Sequence, residues 1–444
     1  MCTARTHSAA GGRNVVGAAL VRGGIGLLFV YVSLVPHRFL PETGLANWES
    51  SLAILLRLLP FGGAIVFIGF MIAALSYRSF LSFPLLTSLS VLFVTALFGS
   101  IGSEVPSLGM SRDVYYLVTG AGIGFSTWAA FSSEFHARQI LGLCLGIATL
   151  VALYGIYEFT LETSPLYSEI FTESNFRYAR LVEGREVFGS RILSSVGHPV
   201  YLGTYLLLFV PIGLAFVRHS GGAQRSIVWF ALGVVIVGLV LTFSRGAWAG
   251  GALASVLFLR RSSGRILWWV VVSLAVILVG VLSFDRVWQT LERRQTLAQL
   301  QTFSTDQRGV AYRQSANLLF EQPLLGVGTG HYRYMSQRHG DFNDTPDNMY
   351  LRVLAENGIV GIASLIVVFG TIGKHLIDGS RRFARRGDVR NSDLCYAVFA
   401  ALCGFWLDMV TCDALYFPLT RMTFWIVAGA GLAMAREASE LPRV

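Results

Sequence analysis

Charged residues are scarce in this sequence. They make up only 14% of its 444 residues, whereas soluble domains carry about 25%. Hydrophobic residues make up 54% of it. This balance excludes an ordinary soluble domain and indicates an integral membrane protein. Apolar runs of about 17–25 residues recur along the chain and fit helices that cross a bilayer, whereas a barrel would show alternating segments of about ten residues.

Cysteine is also scarce. Five cysteines do not form a disulfide framework, and no Cys/His spacing indicates a metal site. The sequence therefore predicts no metal and no cofactor. The net charge of +9 could suggest binding to nucleic acid. Much of it, however, lies in short loops between apolar segments, so we expect membrane lipids and not nucleic acid as the partner.

The hydropathy pattern predicts an all-α integral membrane protein with about twelve transmembrane helices. The predicted spans are 15–35, 52–76, 80–99, 113–131, 138–160, 196–217, 225–242, 246–260, 265–283, 347–373, 394–412 and 416–435. Two longer connections cover 161–195 and 284–346. The second lies between spans 9 and 10 and should be partly helical. We expect its helix 308–320 to present an apolar stripe of Tyr312, Ala316 and Leu319.

The distribution of arginine and lysine sets the expected orientation. The strongest basic cluster follows the tenth span and comprises Lys374, Arg381, Arg382, Arg385, Arg386 and Arg390. Cationic loops face the cytoplasm, so this cluster and both termini should be cytoplasmic. The two long connections then lie on the outer face. In a bacterium the protein would be a multi-pass component of the inner membrane, and its large loop would be periplasmic.

Arg245 lies between two spans, at the face where topology makes arginine unusual. It begins the stretch Arg245-Gly246-Ala247-Trp248, whose small residues allow close helix packing. We therefore expect the guanidinium to face the bundle interior, where it could bind phosphate oxygens. The alternative is an interfacial arginine that reaches towards lipid headgroups. Arg245 alone does not separate the two interpretations.

Asp347 opens the tenth span and also has two interpretations. Thr345 suits a helix N-cap and Pro346 the first helical position, which places Asp347 in a first turn that a carboxylate stabilises. Alternatively, Asp347 is a general base at the membrane mouth. Further along, Arg352 and Glu356 are four residues apart, so an internal ion pair is the simplest expectation.

Other candidates carry weaker signals. Gly326-Val327-Gly328-Thr329-Gly330 is glycine-rich but lacks the Lys-Ser/Thr of a nucleotide loop. A turn whose backbone approaches a ligand or another loop is the better interpretation. His198 suits either helix entry or catalysis. His331 and His339 have no companion at a ligand or triad spacing.

The ordered set of motifs resembles the O-antigen ligase and polymerase superfamily of bacterial membrane glycosyltransferases. The matching stretches are Arg191, Gly197-His198-Pro199, Tyr201-Leu202-Gly203-Thr204-Tyr205-Leu206, Thr242-Phe243-Ser244-Arg245-Gly246, Arg308 with Tyr312, Gly326-Val327-Gly328, Asn348-Met349-Tyr350-Leu351 and Leu354-Ala355-Glu356-Asn357-Gly358. They lie within a ligase-like core, 185–375, between an N-terminal transmembrane region, 1–184, and a C-terminal region, 376–444.

The resemblance implies transfer of a glycan from undecaprenyl diphosphate to a hydroxyl of a glycan or lipid A core acceptor, as in lipopolysaccharide and other polysaccharide biosynthesis. It implies that no metal is used and that arginines hold the donor diphosphate. The implied catalytic residues are Asp347, Arg245 and Arg308. The implied substrate-binding residues are Arg191, Arg313, His198, Asn348, Tyr350 and Glu356.

One departure from the family pattern bears on the choice between ligase and polymerase. Ligases of this family carry a histidine immediately before the asparagine of the last motif, whereas this chain has Asp347. An ordinary aspartate, with a pKa of about 3.9, is a weaker base than imidazole. Polymerase and ligase therefore both remain open. A lipid-glycan flippase and a non-catalytic assembly scaffold are further alternatives, although no internal repeat of the kind found in transporters is present.

Overall fold

The computed structural model describes residues 7–34, 84–103, 106, 120–131, 134–161, 191–261, 298–338 and 345–440. No strand occurs in these ranges, and their regular structure is helical. The prediction of an all-α protein is therefore confirmed for this part of the chain. The predicted spans 52–76 and 265–283 lie outside it, as does most of the first long connection, so the count of twelve remains a prediction.

The helices are numbered here in chain order. They are α1 (His7–Leu34), α2 (Leu86–Ile101), α3 (120–130), α4 (Glu134–Leu161), α5 (Pro199–Leu207), α6 (Phe209–His219), α7 (Gly222–Leu241), α8 (Arg245–Arg260), α9 (Ala298–Glu321), α10 (Tyr332–Arg338), α11 (Met349–Arg385), α12 (Val389–Asp408) and α13 (Pro418–Glu440).

Four of the described segments are long and apolar enough to cross a membrane. They are Phe135–Leu161, Pro199–His219, Gly222–Leu241 and Met349–Arg385. Each overlaps a span predicted from hydropathy. The second combines α5 and α6, and the fourth is α11, which extends twelve residues beyond its predicted end at 373.

Small residues bring α8 and α12 into close contact. A side chain added at Gly250 would lie 2.5 Å from the carbonyl oxygen of Gly404, so the two backbones cross almost directly. A side chain added at Gly246 would likewise lie 2.5 Å from a carboxylate oxygen of Asp408, at the C-terminal end of α12. The predicted close packing is correct, but the predicted inward direction of Arg245 is wrong. The glycine face takes the contact with α12, and Arg245, on the first turn of α8, is exposed.

The described part of the second long connection contains α9, which ends where Glu321-Gln322-Pro323 stops it, and the short helix α10. The predicted apolar stripe lies largely on the surface of α9. Tyr312 and Ala316 are exposed, and the buried face consists of Ala311, Gln314, Ser315 and Leu318. These four positions also have helical spacing. The polar side chains of Gln314 and Ser315 can be buried on this face because both are hydrogen-bonded. Gln314 accepts a hydrogen bond from Ser336, and Ser315 donates one to Ala311 O.

Gly358 divides α11 into a short outer helix and a long inner one. Its φ of 64° and ψ of −165° lie in a region open only to glycine. At this break the glycine-rich loop pairs with the helix backbone. Val327 N donates to Ala355 O at 3.0 Å, and Ile359 N donates to Pro323 O at 2.9 Å. The glycine-rich loop thus packs its backbone against another segment of the chain, in agreement with one of the two roles expected for it.

We predict that Gly358→Ala lowers the stability of the protein by at least about 3 kcal/mol. The new methyl group would meet the carbonyl of Leu324 in a backbone conformation that alanine avoids. The thermal midpoint of the purified protein measures the effect. The matched control is Gly370→Ala on the same helix, where no atom lies within 4 Å of the added carbon. This control should be neutral or stabilising by up to about 1 kcal/mol; equal losses in both variants would contradict the strain at Gly358.

Candidate functional site

A buried ion network lies beneath the start of α11. The side chain of Arg352 is only 9% exposed and pairs with Glu356 at 3.3 Å and with Asp413 at 2.8 Å. Its guanidinium carbon lies 3.4 Å from the ring centroid of Tyr416, whose hydroxyl donates to Glu356. The expected Arg352–Glu356 pair is therefore present. Asp413, in the turn between α12 and α13, is a partner that sequence reasoning did not supply.

The network positions Asp347 through its backbone. Asp413 accepts a hydrogen bond from the hydroxyl of Thr345, and that hydroxyl accepts one from the amide of Asp347 at 3.2 Å. Asp347 has a φ of 49°, which is rare for a residue with a side chain. A polar chain thus connects a buried arginine to an unusual backbone conformation at the surface.

The expected helix start was wrong. Asn348 is the N-cap, and its side-chain oxygen accepts from the amides of Tyr350 and Leu351 at 3.0 and 3.1 Å. Asp347 therefore precedes the helix and does not belong to its first turn. An asparagine one position before Met349 caps better than a threonine three positions earlier, because Asn348 can reach the free amides of the first turn.

Arg308 faces Asp347 across the site. Its guanidinium lies 3.8 Å from the Asp347 carboxylate, and the two side chains are 45% and 51% exposed. Such an exposed pair contributes little to stability. Both groups can therefore meet a ligand at the surface without first breaking a strong contact.

The position of Arg308 depends on a small apolar cluster. Leu318 of α9, Val327, Tyr332 of α10 and Ala355 of α11 form its buried part. The hydroxyl of Tyr332 donates to Ala311 O at 3.0 Å, and its amide donates to Glu356 at 3.2 Å. The cluster and these two bonds hold α9 against the outer part of α11.

The electrostatic surroundings of Asp347 suit an acid–base group. Partial burial and the nearby Asp413 carboxylate raise the pKa of the Asp347 carboxyl above its ordinary value. The guanidinium of Arg308 opposes that rise. A carboxylate with a raised pKa is a stronger base than an ordinary aspartate, which reduces the disadvantage relative to histidine.

Two more of the implied arginines lie at the turn between α7 and α8. The Nε of Arg191 donates to Thr242 O at 2.7 Å, next to the turn that leads into Arg245. The guanidinium of Arg245 makes no ion pair within the described ranges. Its neighbour Gly246 contacts Asp408 and Thr411, and Asp413 follows two residues later. The arginine turn and the Asp347 segment thus both lie against the turn that follows α12.

His198 lies at the same end of the bundle. It is the N-cap of α5, and its ring centroid is 4.8 Å from that of Tyr201. Tyr201 stacks on Phe417 at 4.2 Å, just after the turn that contains Asp413. Among the described residues, the non-glycine positions with a left-handed φ are Ser194, Phe243 and Asp347. Each lies within four residues of an implied site residue, and strained backbone of this kind concentrates at functional sites.

Four other implied residues are bonded within the protein or lie away from the Arg308–Asp347 pair. Glu356 is fully buried in the ion network. Tyr350 donates its hydroxyl to Trp406 O at 2.7 Å, which ties α11 to α12. The side-chain oxygen of Asn348 caps α11. Arg313 is exposed on α9, about 140° around the helix from Arg308 by helical geometry.

Sequence reasoning supplied no partner for two acidic residues that support the site. Glu158 of α4 accepts the amides of Ser194 and Leu193 at 2.6 and 3.1 Å and fixes the segment before His198. Asp408 accepts from Thr204 at 2.5 Å and from Thr411 at 3.0 Å. The available signal was the presence of acidic residues inside apolar segments, where a polar or cationic partner is required.

The described part of the chain contains no group of three or more His, Cys, Asp or Glu side chains arranged to hold a metal ion. Positive charge at the site comes instead from arginine. Arg308 lies beside Asp347, and Arg191 and Arg245 lie together at the neighbouring turn.

Comparison with known families agrees with this geometry. Residues 203–366 match the family model described as O-antigen ligase. This match supports the resemblance to the O-antigen ligase and polymerase superfamily. The matched segment begins in α5 and ends in α11, so it contains Arg245, Arg308 and Asp347. No curated protein sequence matches the chain significantly.

The match to this family implies a glycosyltransferase-like enzyme in a bacterial membrane. The family also implies substrates of the lipid-linked glycan type, with a polysaccharide or lipid A as the other partner. The long apolar helices of the chain agree with a location in the membrane.

We predict that Arg352→Ala destabilises the protein by about 3–5 kcal/mol, because it leaves two buried carboxylates without their shared cation. The control is Arg381→Ala on the same helix, whose pair with Asp378 at 3.7 Å is largely exposed. The control should cost about 0–1 kcal/mol. Thermal midpoints in a neutral detergent compare the two; similar values would contradict the structural role of Arg352.

Proposed function

We propose that the protein transfers a glycan from undecaprenyl diphosphate to an acceptor hydroxyl at the periplasmic face of the bacterial inner membrane. The observation that carries this proposal is the half-exposed pair of Arg308 and Asp347. These residues come from separate motifs of the family, and the fold brings a cation and a carboxylate to one place. Both termini would then lie in the cytoplasm.

The reaction divides between the two groups. Asp347 accepts the proton of the acceptor hydroxyl, and the resulting nucleophilic oxygen attacks the anomeric carbon of the donor glycan. The bond between that carbon and the diphosphate oxygen breaks, and its electron pair leaves with the undecaprenyl diphosphate. Arginine side chains stabilise the negative charge that develops on the leaving group. We assign this role to Arg308, with Arg245 and Arg191 at the neighbouring turn.

The arginines also explain why the reaction needs no metal ion in this proposal. A guanidinium group supplies a permanent positive charge and two parallel donors for phosphate oxygens. His198 lies at the same end of the bundle and is assigned to substrate binding. Arg313, exposed on α9, would contact the donor only at the rim of the site.

The site clusters at one end of the bundle, which favours an enzyme over a flippase. Alternating access requires a binding site near the middle of the membrane. Here the Arg308–Asp347 pair and the Arg191–Arg245 turn both lie against the turn after α12. This placement suits a substrate that is approached from one side.

Transfer by the purified protein tests the proposal. Undecaprenyl-diphosphate oligosaccharide is supplied in lipid with EDTA present, with and without a lipid A core acceptor. A ladder on the lipid carrier identifies a polymerase, and a single shift of the core lipid identifies a ligase. Absence of product, with labelled lipid still crossing the bilayer, would refute transfer and favour transport.

We predict that Asp347→Asn lowers the rate of transfer by about 10²- to 10⁴-fold, as expected for loss of a general base. Binding of the donor should persist, because the amide keeps the shape of the carboxylate and Arg308 is unchanged. The control is Glu321→Gln, an exposed acidic residue at the end of α9. Full activity in Asp347→Asn would rule out Asp347 as the base.

The rate of transfer should fall at low pH as Asp347 becomes protonated. Since Arg308 lowers the pKa of Asp347, Arg308→Gln should move the acidic limb of the kcat profile to higher pH. Arg308→Lys keeps the charge and should leave the limb near its original position. A limb that stays fixed in Arg308→Gln would show that the titrating group is not Asp347.

A further inference from the structure

Four guanidinium groups surround a pocket at the end of the bundle opposite to Asp347. The pocket has a volume of about 450 Å³ and is lined by Arg260, Arg261, Arg381, Ala384, Arg385 and Tyr396. These residues belong to the C-terminal end of α8, the last turns of α11 and the second turn of α12. From Ile359 to Arg385, α11 is about 40 Å long, so the pocket lies on the other side of the membrane from the Arg308–Asp347 pair.

Arg261 is fixed in place within this pocket. Its two terminal nitrogens donate to the hydroxyls of Ser380 at 2.5 Å and Ser392 at 2.6 Å. Its guanidinium carbon also lies 5.0 Å from the ring centroid of Tyr396. These two hydroxyls and the ring are neutral, so they orient the charge without cancelling it. An arginine held in this way is prepared to bind an anion.

Acidic side chains do not neutralise the pocket. Buried Asp393 lies 3.9 Å from Arg261 but is closer to Arg218 at 3.0 Å and to His219 at 2.8 Å. Asp378 pairs with Arg381 at 3.7 Å, and that pair is exposed. Among the described residues, no acidic side chain lines the pocket itself. Four cations therefore converge on a space without a matching negative charge inside it.

An apolar surface adjoins the pocket. Val256 is 47% exposed and lies one turn before Arg260 on the same face of α8. An anion with an attached hydrocarbon chain could therefore place its charge among the arginines and its chain along α8. A free inorganic anion would make no use of this apolar surface.

We propose that this pocket binds the phosphate-bearing headgroup of an anionic phospholipid. Basic pockets between membrane helices suit such headgroups, and guanidinium pairs match the geometry of phosphate oxygens. The alternative is a general attraction of the basic loops to the membrane surface. The two differ because the pocket requires particular arginines, whereas surface attraction depends only on total charge.

The test is lipid binding to the purified full-length protein in neutral detergent, measured by native mass spectrometry. Phosphatidylglycerol and phosphatidylcholine with identical acyl chains are titrated separately. The pocket variant is Arg260→Gln with Arg385→Gln, both exposed residues whose loss should leave the thermal midpoint unchanged. The control is Arg225→Gln with Arg382→Gln, which removes the same charge from exposed positions at the same end of the bundle but outside the pocket.

We expect phosphatidylglycerol to bind in preference to phosphatidylcholine, and the pocket variant to bind it at least about tenfold more weakly. The control should change the affinity by no more than about twofold. Equal losses in the pocket and control variants, or equal binding of the two lipids, would overturn the proposal. Displacement of the lipid by millimolar inorganic phosphate would show that the pocket binds free anions instead.

Discussion

The pairing of buried Arg352 with two carboxylates is the interaction on which the outer part of the structure depends. Glu356 belongs to the same helix, whereas Asp413 belongs to the turn after α12. Burial of three charges is favourable only when each is paired, so these segments must come together for the fold to form. The same contacts orient Tyr332 and Thr345, which place α9 and the Asp347 segment. One cation therefore organises four parts of the chain.

This arrangement separates buried, paired charges from exposed ones. Arg352 and Glu356 are buried and satisfied, whereas Arg308 and Asp347 are about half exposed. A charge fixed before the substrate arrives stabilises a developing negative charge without further reorganisation. The buried network holds the segments of the site together, and in the proposed reaction the exposed pair supplies the reacting groups.

The helices of the fold followed from hydropathy because long apolar runs have one stable form in a bilayer. The Arg352–Glu356 pair followed from helical spacing for a similar reason. The role of Asp413 could not be predicted, since it depends on a contact across 61 residues. The break at Gly358 was also missed, because it exists only when the loop around Gly326 packs against it. Local sequence pattern did not predict the contact between Arg308 and Asp347; only the family motifs assigned both residues to one site.

A structure of the protein with bound undecaprenyl-diphosphate oligosaccharide tests the central claim most directly. The account predicts that the diphosphate lies against Arg308 and that the anomeric carbon faces the Asp347 carboxylate. The buried Arg352 network should keep its contacts in that complex. A diphosphate bound among Arg260, Arg261, Arg381 and Arg385, at the opposite end of the bundle, would contradict the account.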